Sequence, residues 1–275
     1  MEEAARDWNL PQLSAIFSQL CYGVLPRYLT PSNPSLQGLG VSPDTPLPPH
    51  HETQPLVNAM RVLDLFSGLG GFSQAFKDRG HDVTTIDFLE KFNPTICANI
   101  LDLTPKELMG PWHVILASPP CNGFSVASVY HHWDNSLGYP IPKSGTALEG
   151  IKLVAHTVNL ILNLHPIFWY LENPRGMLRR VLGKPTQETH FASWGDFTRK
   201  PTDLWGVHAP MKWFEPGWYE PAPRGELAGT QGKGRFVKPG GVDIRKRGPA
   251  LRALIPYGLS LAICKAVEKA LERLF

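Results

Sequence analysis

The chain reads as an α/β protein built on a mostly parallel sheet covered by helices, and three observations carry that reading. From Arg61 onward, short apolar runs alternate with amphipathic stretches at the spacing of strand and helix units. A glycine-rich turn, Ser67-Gly68-Leu69-Gly70-Gly71, separates the first run from the helix that follows it. Two later runs, Val114 to Ala117 and Phe168 to Leu171, end in residues that bear chemistry, Cys121 and Glu172, where open α/β sheets keep their sites.

Taken in order, Val62 to Phe66 is the first predicted strand and Phe72 to Arg79 a helix closed by Gly80 at its C′ position. Val83 to Ile86 is the second strand, with Asp87 at its end; Cys97 to Ile100 is a third, His113 to Ala117 a fourth and Ile167 to Leu171 a fifth. Between the last two, Ile151, Val154, Val158, Ile161 and Leu162 mark one face of a helix that crosses back over the sheet. A final helix is expected over Leu259 to Leu274.

Residues 1–60 differ. Leu13, Ile16, Phe17, Leu20 and Cys21 recur at helical spacing, and then eight prolines between Pro26 and Pro55 exclude a continuous helix. The expected organisation is an N-terminal helix and Pro-rich segment over 1–60, a core over 61–205, a small region rich in Gly, Pro and Trp over 206–250, and a helix over 251–275 that returns to the core.

With 275 residues and 43% hydrophobic content the chain can bury a full core. Its apolar runs fall short of a membrane span and no signal-peptide pattern opens it, so a cytoplasmic protein without a membrane partner is expected. Four scattered cysteines suggest neither a metal site nor a disulfide framework. A net charge of +3 identifies no partner, but its distribution is uneven: Lys233, Arg235, Lys238, Arg245, Lys246 and Arg247 are opposed by Asp243 alone and interleaved with glycines, as suits a loop that contacts phosphates.

The glycine turn lets a ligand approach the backbone, and Asp87 stands where a carboxylate accepts hydrogen bonds from ribose hydroxyls, which together suggest an adenosine-type ligand. The spacing is not that of the dinucleotide fingerprint. Two prolines aim Cys121, since each locks its own φ and restricts the residue before it. Glu172 emerges from an apolar run, where a carboxylate is seldom without a task.

DLFSGLGG (64–71), SPPCNGFS (118–125) and ENPRG (172–176), in that order, resemble the cytosine C5-specific DNA methyltransferase family over roughly residues 61–205. The resemblance implies a Rossmann-like fold that binds S-adenosyl-L-methionine and releases S-adenosyl-L-homocysteine, with a small C-terminal target-recognition region. Carried over by position, Asp64, Phe66, Ser67, Gly68, Gly70, Gly71, Asp87, Phe88, Asp102, Leu103 and Pro119 would hold the cofactor, Asp87 at the ribose and Asp102 at the adenine. Cys121 matches the catalytic cysteine and Glu172 the catalytic glutamate, with Asn173 and Arg175 beside it; Ser125, Arg199, Lys200, Thr202 and the basic loop residues would meet the substrate. The implied partner is double-stranded DNA, with a cognate restriction endonuclease as a further one, and the protein is expected to be a monomer.

The chemistry implied explains these residue types. C5 of cytosine is too electron-poor to take a methyl group unless a thiolate first adds at C6, and a free cysteine, at about 8.5, needs its surroundings to raise the reactive fraction. An acid at the ring nitrogen would stabilise the charge that develops, and the base must be flipped out of its stack. Three departures stand out: Pro174 replaces the usual valine, in the manner of small phage or prophage relatives; Arg199-Lys200-Pro201-Thr202 is the nearest counterpart of a paired-arginine motif; and Arg252 to Gly258 stands in place of a Gly-Asn motif. Methylation of RNA at the same carbon, a non-catalytic nucleic-acid-binding relative, an amino-group methyltransferase and a nicotinamide oxidoreductase are the competing readings, the last leaving the prolyl-cysteine motif unexplained.

Overall fold

The computed structural model describes residues 59–136, 138–196, 200–213 and 248–274. Strand β1 (Arg61–Leu65) runs into the glycine turn and a short helix, α1 (Gln74–Asp78), followed by β2 (Asp82–Asp87) and the two-residue β3 (Ile96–Cys97). β4 (Val114–Ala117) leads to the Cys121 loop, then α2 (Val129–His132), a small hairpin of β5 (Trp133–Asp134) and β6 (Ile141–Pro142), and the long helix α3 (Gly145–Leu164). β7 (Phe168–Pro174), α4 (Leu178–Leu182), β8 (Gln187–His190) and β9 (Pro201–Trp205) complete the sheet, and α5 (Pro249–Ala253) and α6 (Tyr257–Leu271) close the described chain.

The seven strands lie in the order β3-β2-β1-β4-β7-β9-β8. The first five are mutually parallel and β9 is antiparallel to both of its neighbours. The expected mostly parallel α/β sheet is therefore present, and it is wider than the sequence indicated. The chain moves outward from β1 in one direction and from β4 in the other, so the crevice beyond the carboxyl ends of β1 and β4 is the topological switch point.

Strand alternation divides the core. Leu63, Leu65, Ile115 and Leu171 face α3, where Ile151, Val154, Val158 and Ile161 meet them, as the helical periodicity predicts. Val62, Val114, Leu116 and Tyr170 face the other way, onto Phe76 of α1 and Leu259, Ile263 and Val267 of α6. Each such buried side chain contributes about 1.5–3 kcal/mol, and neither layer is dispensable. The stretch Ala250–Leu271 is apolar enough to pass a membrane-span test, with half of that window buried in the core. The Ser144 hydroxyl caps α3 by accepting from Ala147 N–H. Gly80, at φ 82°, sits just past α1, and His81 N–H donates to the Phe76 carbonyl in the closing turn.

A polar tie supplements the second layer. Glu268 of α6 accepts from Arg79 at 2.7 and 2.8 Å and lies 2.9 Å from His81 Nε2, with Cys264 beside it. The sequence predicts no metal site; ligand atoms of His81, Cys264 and Glu268 lie within 4.8 Å of one another, and the Arg79 guanidinium contacts both oxygens of the same carboxylate.

Several boundaries differ from expectation. α1 is five residues rather than eight, because Phe72 and Ser73 still belong to the turn. The third strand is Ile96–Cys97, one residue earlier than expected and two shorter. β7 runs on to Pro174, three residues past the expected end, so Glu172 and Asn173 lie within the strand and not beyond it. The final helix ends at Leu271 and starts at Tyr257, directly after Pro256. The hairpin, β8 and β9 have no counterpart in the sequence reading. The N-terminal helix and Pro-rich segment lie outside the described residues, as does most of 206–250.

Gly71 decides how the final helix docks. A Cβ there would stand 2.6 Å from Leu254 Cδ1 and 2.7 Å from the Ile255 carbonyl, and backbone cannot yield as a side chain can. Gly71→Ala is expected to cost about 1–3 kcal/mol of stability, read as a lower urea midpoint.

Candidate active site

Three peptides converge on the switch point. The first is the turn after β1. Phe66 adopts φ 61°, a conformation rare for a bulky residue, and strain of this kind collects at functional sites. Ser67 N–H donates to the Ile86 carbonyl, Gly68 N–H to Asp87 Oδ2 at 2.9 Å, and Leu89 N–H to Asp87 Oδ1 at 2.9 Å. Asp87 thus fastens the turn to the end of β2 while each oxygen keeps a lone pair for another donor. Gly68 and Gly70 take positive φ, at 51° and 77°, and nothing lies within 4 Å of where a Gly70 Cβ would be. Phe88, next to Asp87, is 63% exposed, an unusual position for a phenyl ring.

These features fit S-adenosyl-L-methionine: an open glycine turn, a carboxylate at the strand end and an uncovered aromatic face beside it. The other positions assigned to the cofactor divide. Asp102 is exposed at the end of a turn after β3, and Leu103 packs against the α3 layer with its carbonyl bonded to His156. Gly71 owes its missing side chain to the Leu254 and Ile255 contact described above. Asp64 lies wholly buried inside β1 and accepts from the Ser73 hydroxyl at 2.6 Å, which ties the turn to the start of α1. Asp64 and Gly71 thus support the turn. Burial pushes the Asp64 carboxyl up to about 7.

The second peptide carries the thiol. Ser118 N–H bonds to the Leu65 carbonyl and its hydroxyl to the Phe66 carbonyl, so the loop starts in register with the glycine turn. The Pro119 carbonyl accepts from Asn173 Nδ2 at 2.9 Å. Beyond Cys121, its own carbonyl accepts from Phe124 and Ser125 N–H, Met177 N–H reaches the Phe124 carbonyl, and Ser125 bridges Gly176. Gly123 leaves 2.9 Å between its missing Cβ and the Thr146 carbonyl, so the loop is seated on α3 as well. Cys121 itself is only partly buried as a residue.

The third peptide is the end of β7. Successive side chains alternate, so Glu172 shares a face with Tyr170 while Asn173 shares one with Leu171 and reaches the cysteine loop. Glu172 is 3% exposed; its Oε1 lies 3.8 Å from Lys200 Nζ and has no hydrogen-bond partner. Lys200, at φ 20°, holds its ammonium 4.1 Å over the Phe191 ring. Burial raises the Glu172 carboxyl above the ordinary carboxylate range, with Lys200 opposing and Asp203 assisting. Burial and the nearby Glu172 likewise push the Cys121 thiol up, against Lys200 and Arg252. The activation expected from the sequence is therefore not a property of these surroundings: a buried carboxyl and low polarity disfavour the thiolate. Among the described residues the buried acceptors lacking a hydrogen bond include Asp64 Oδ1, Glu172 Oε1 and Asn173 Oδ1, three carboxyl or amide oxygens toward the carboxyl ends of β1 and β7. Each costs about 1–3 kcal/mol, which a purely structural site would not concentrate here.

Of the substrate residues, Lys200 joins Glu172 and Cys121, and Thr202 is fully buried in β9 with its hydroxyl donating to the Lys200 carbonyl and its charge-stabilising effect felt at Glu172. Thr202 is thus part of the sheet that supports Glu172 and Lys200. Arg175, expected to be catalytic, is exposed and forms an ion pair with Glu188. Arg199, Lys233, Arg235, Arg245, Lys246 and Arg247 lie outside the described residues. The sequence reading missed Arg252, whose charge favours the Cys121 thiolate from α5; its place in the segment that replaces the Gly-Asn motif was the available signal.

Residues 60–190 match the family model for the C-5 cytosine-specific DNA methylase. The chain is 28% identical over 143 residues to the type II methyltransferase M.XorII of Xanthomonas oryzae pv. oryzae, covering 46% of this chain and 30% of the relative. It is 28% identical over 153 residues to the Frog virus 3 protein named "Probable DNA (cytosine-5)-methyltransferase", covering 53% of this chain and 70% of that one. The type II methyltransferase M.AplI of Arthrospira platensis is 30% identical over 125 residues, 42% of this chain and 32% of that one. The aligned segment thus spans about a third of two of these relatives. Among solved structures, a DNA modification methyltransferase encoded within an E. coli prophage aligns at 21% identity and a TM-score of 0.39, over 54% of this chain and 47% of that one.

Two outcomes follow. Asn173→Ala leaves the Pro119 carbonyl buried without a donor and is expected to cost about 1–3 kcal/mol by urea denaturation. Because the folded Asp64 takes up a proton that the unfolded chain, at its ordinary 3.8, has already lost, stability is highest below that value and falls as pH rises toward about 7. Asp64→Asn is expected to shrink that fall when urea midpoints are compared between pH 5 and 8.

Proposed function

We propose that the protein transfers the methyl group of S-adenosyl-L-methionine to C5 of cytosine in double-stranded DNA, through a covalent bond between Cys121 and C6. It does so as a monomer in the cytoplasm, with 61–205 as the catalytic core and 206–250 as the recognition region, alongside a cognate restriction endonuclease. The observation that carries the reading is the pairing of a partly buried cysteine with a buried, protonation-prone carboxyl at neighbouring strand ends, joined by the Asn173 to Pro119 hydrogen bond.

Ser67 to Gly70, Asp87 at the ribose, Asp102 at the adenine and Phe88 beside Asp87 would hold S-adenosyl-L-methionine, which would supply the methyl group. The residues of the chain perform the rest. The flipped cytosine enters beside Cys121, and the Cys121 thiolate forms the S–C6 bond. The C5–C6 double bond opens toward C5, and Glu172, whose protonated form burial favours, donates a hydrogen bond or its proton to the ring nitrogen. Lys200 steadies the negative charge on the carboxylate that results. Once C5 carries the methyl group, loss of the C5 proton to solvent restores the double bond and breaks S–C6, which returns the thiolate, and the ring nitrogen gives its proton back to Glu172. The resting thiol is pushed up, and the Lys200 and Arg252 charges are the groups placed to favour its thiolate.

Mass spectrometry of nucleosides from DNA and, in parallel, transfer RNA treated with the protein and S-adenosyl-L-methionine tests product and substrate together. Formation of 5-methylcytosine in DNA and its loss in Cys121→Ala is the expected result; product in the RNA alone sinks the DNA assignment. Adduct formation with a 5-fluorocytosine duplex is expected to accelerate about tenfold per pH unit through neutrality, since the raised thiol gains thiolate as pH rises.

A further inference from the structure

Beside the cysteine loop lies a cavity of about 390 Å³, lined by Val126, Val129 and Met177 as apolar walls and by Arg175, Arg179 and Arg180 as a basic rim, with Gly176 between them. We propose that this cavity holds one sugar-phosphate unit of the DNA strand that carries the flipped cytosine, the sugar against the apolar walls and the phosphodiester on the arginines. The proposal rests on the methyltransferase reading and assigns the chain a backbone contact outside the catalytic and recognition residues.

The walls belong to both catalytic peptides. Val126 lies five residues after Cys121 and Arg175 three after Glu172, and the bridge between Ser125 and Gly176 locks the two segments together. A strand whose base reaches Cys121 therefore has its neighbouring backbone within reach of this rim. The arginines are pre-set for it. Arg179 donates through Nε and Nη2 to Asp203, which is fully buried, and Nη2 also lies 3.0 Å from Glu188. These contacts fix the guanidinium plane and leave the Nη1 hydrogens for a ligand. Arg175 shares Glu188. Arg180 is exposed and its side chain has no ion-pair partner among the described residues, so three cations face two carboxylates and the excess charge is positive. A carboxylate or free inorganic anion would use the rim alone; the apolar walls, with Val126 45% exposed, match the C–H surface of a sugar.

The test measures binding of a duplex of mixed sequence to the full chain from about 50 to 200 mM salt. Arg180→Gln is expected to weaken binding and to make the slope of log K against log salt shallower by about 0.9, the loss of one phosphate contact, whereas Arg180→Lys keeps the slope. Val126→Glu, at an exposed site that folding tolerates, is expected to weaken binding roughly tenfold or more by placing a like charge in the path of the phosphate. Binding by the native chain with slope and affinity unchanged in Arg180→Gln and Val126→Glu overturns the proposal and leaves the methyltransferase reading intact. A native chain that neither binds duplex nor methylates it removes that reading and the proposal together.

Discussion

The hydrogen bond from the Asn173 amide to the Pro119 carbonyl is the constraint on which the site depends. Two prolines stiffen the approach to Cys121 but remove N–H donors that would have tied it to neighbouring backbone. A side chain from β7 supplies the missing tie. Because the register sets Ala117 of β4 beside Leu171 of β7, the residues two past Leu171 and two past Ala117 are the ones that can meet, and they are Asn173 and Pro119. The thiol loop and the glutamate strand are then one rigid unit, reinforced by the bridge from Ser125 to Gly176.

That unit is electrostatically unfinished. Glu172 is buried with an acceptor left open, Lys200 stands 3.8 Å away without closing a hydrogen bond, and the thiol is held in its protonated range by the same burial. A resting thiol is less prone to oxidation than a thiolate. The lysine is anchored over Phe191 and by a strained backbone, so its position does not depend on the carboxylate it serves.

The cost of open acceptors and of the φ of Phe66 is offset by the two apolar layers. They grip opposite faces of β1, β4 and β7, and Gly71 lets the segment before α6 close tightly over the glycine turn. Function sits at the carboxyl ends of strands whose bodies are among the most buried parts of the molecule.

Much of this was legible in the amino-acid order. Local patterns reveal β1, β2, β4, α3 and α6, because alternation and helical spacing reflect which side of an element is buried. The Gly turn, Asp87, Cys121 and Glu172 are visible because each is an unusual residue at a strand end. β8 and β9 were not visible, since Gln187 to His190 is polar and short and its pairing is supplied by a strand ten residues later. Nor could sequence spacing show that Arg175 pairs with Glu188, that Asp64 is buried beneath the turn, or that Lys200 comes beside Glu172 from a separate strand. The sequence by itself determined the α/β class and singled out Cys121 and Glu172; the tertiary structure decided their surroundings, because burial and the distance between charges exist only once distant segments pack.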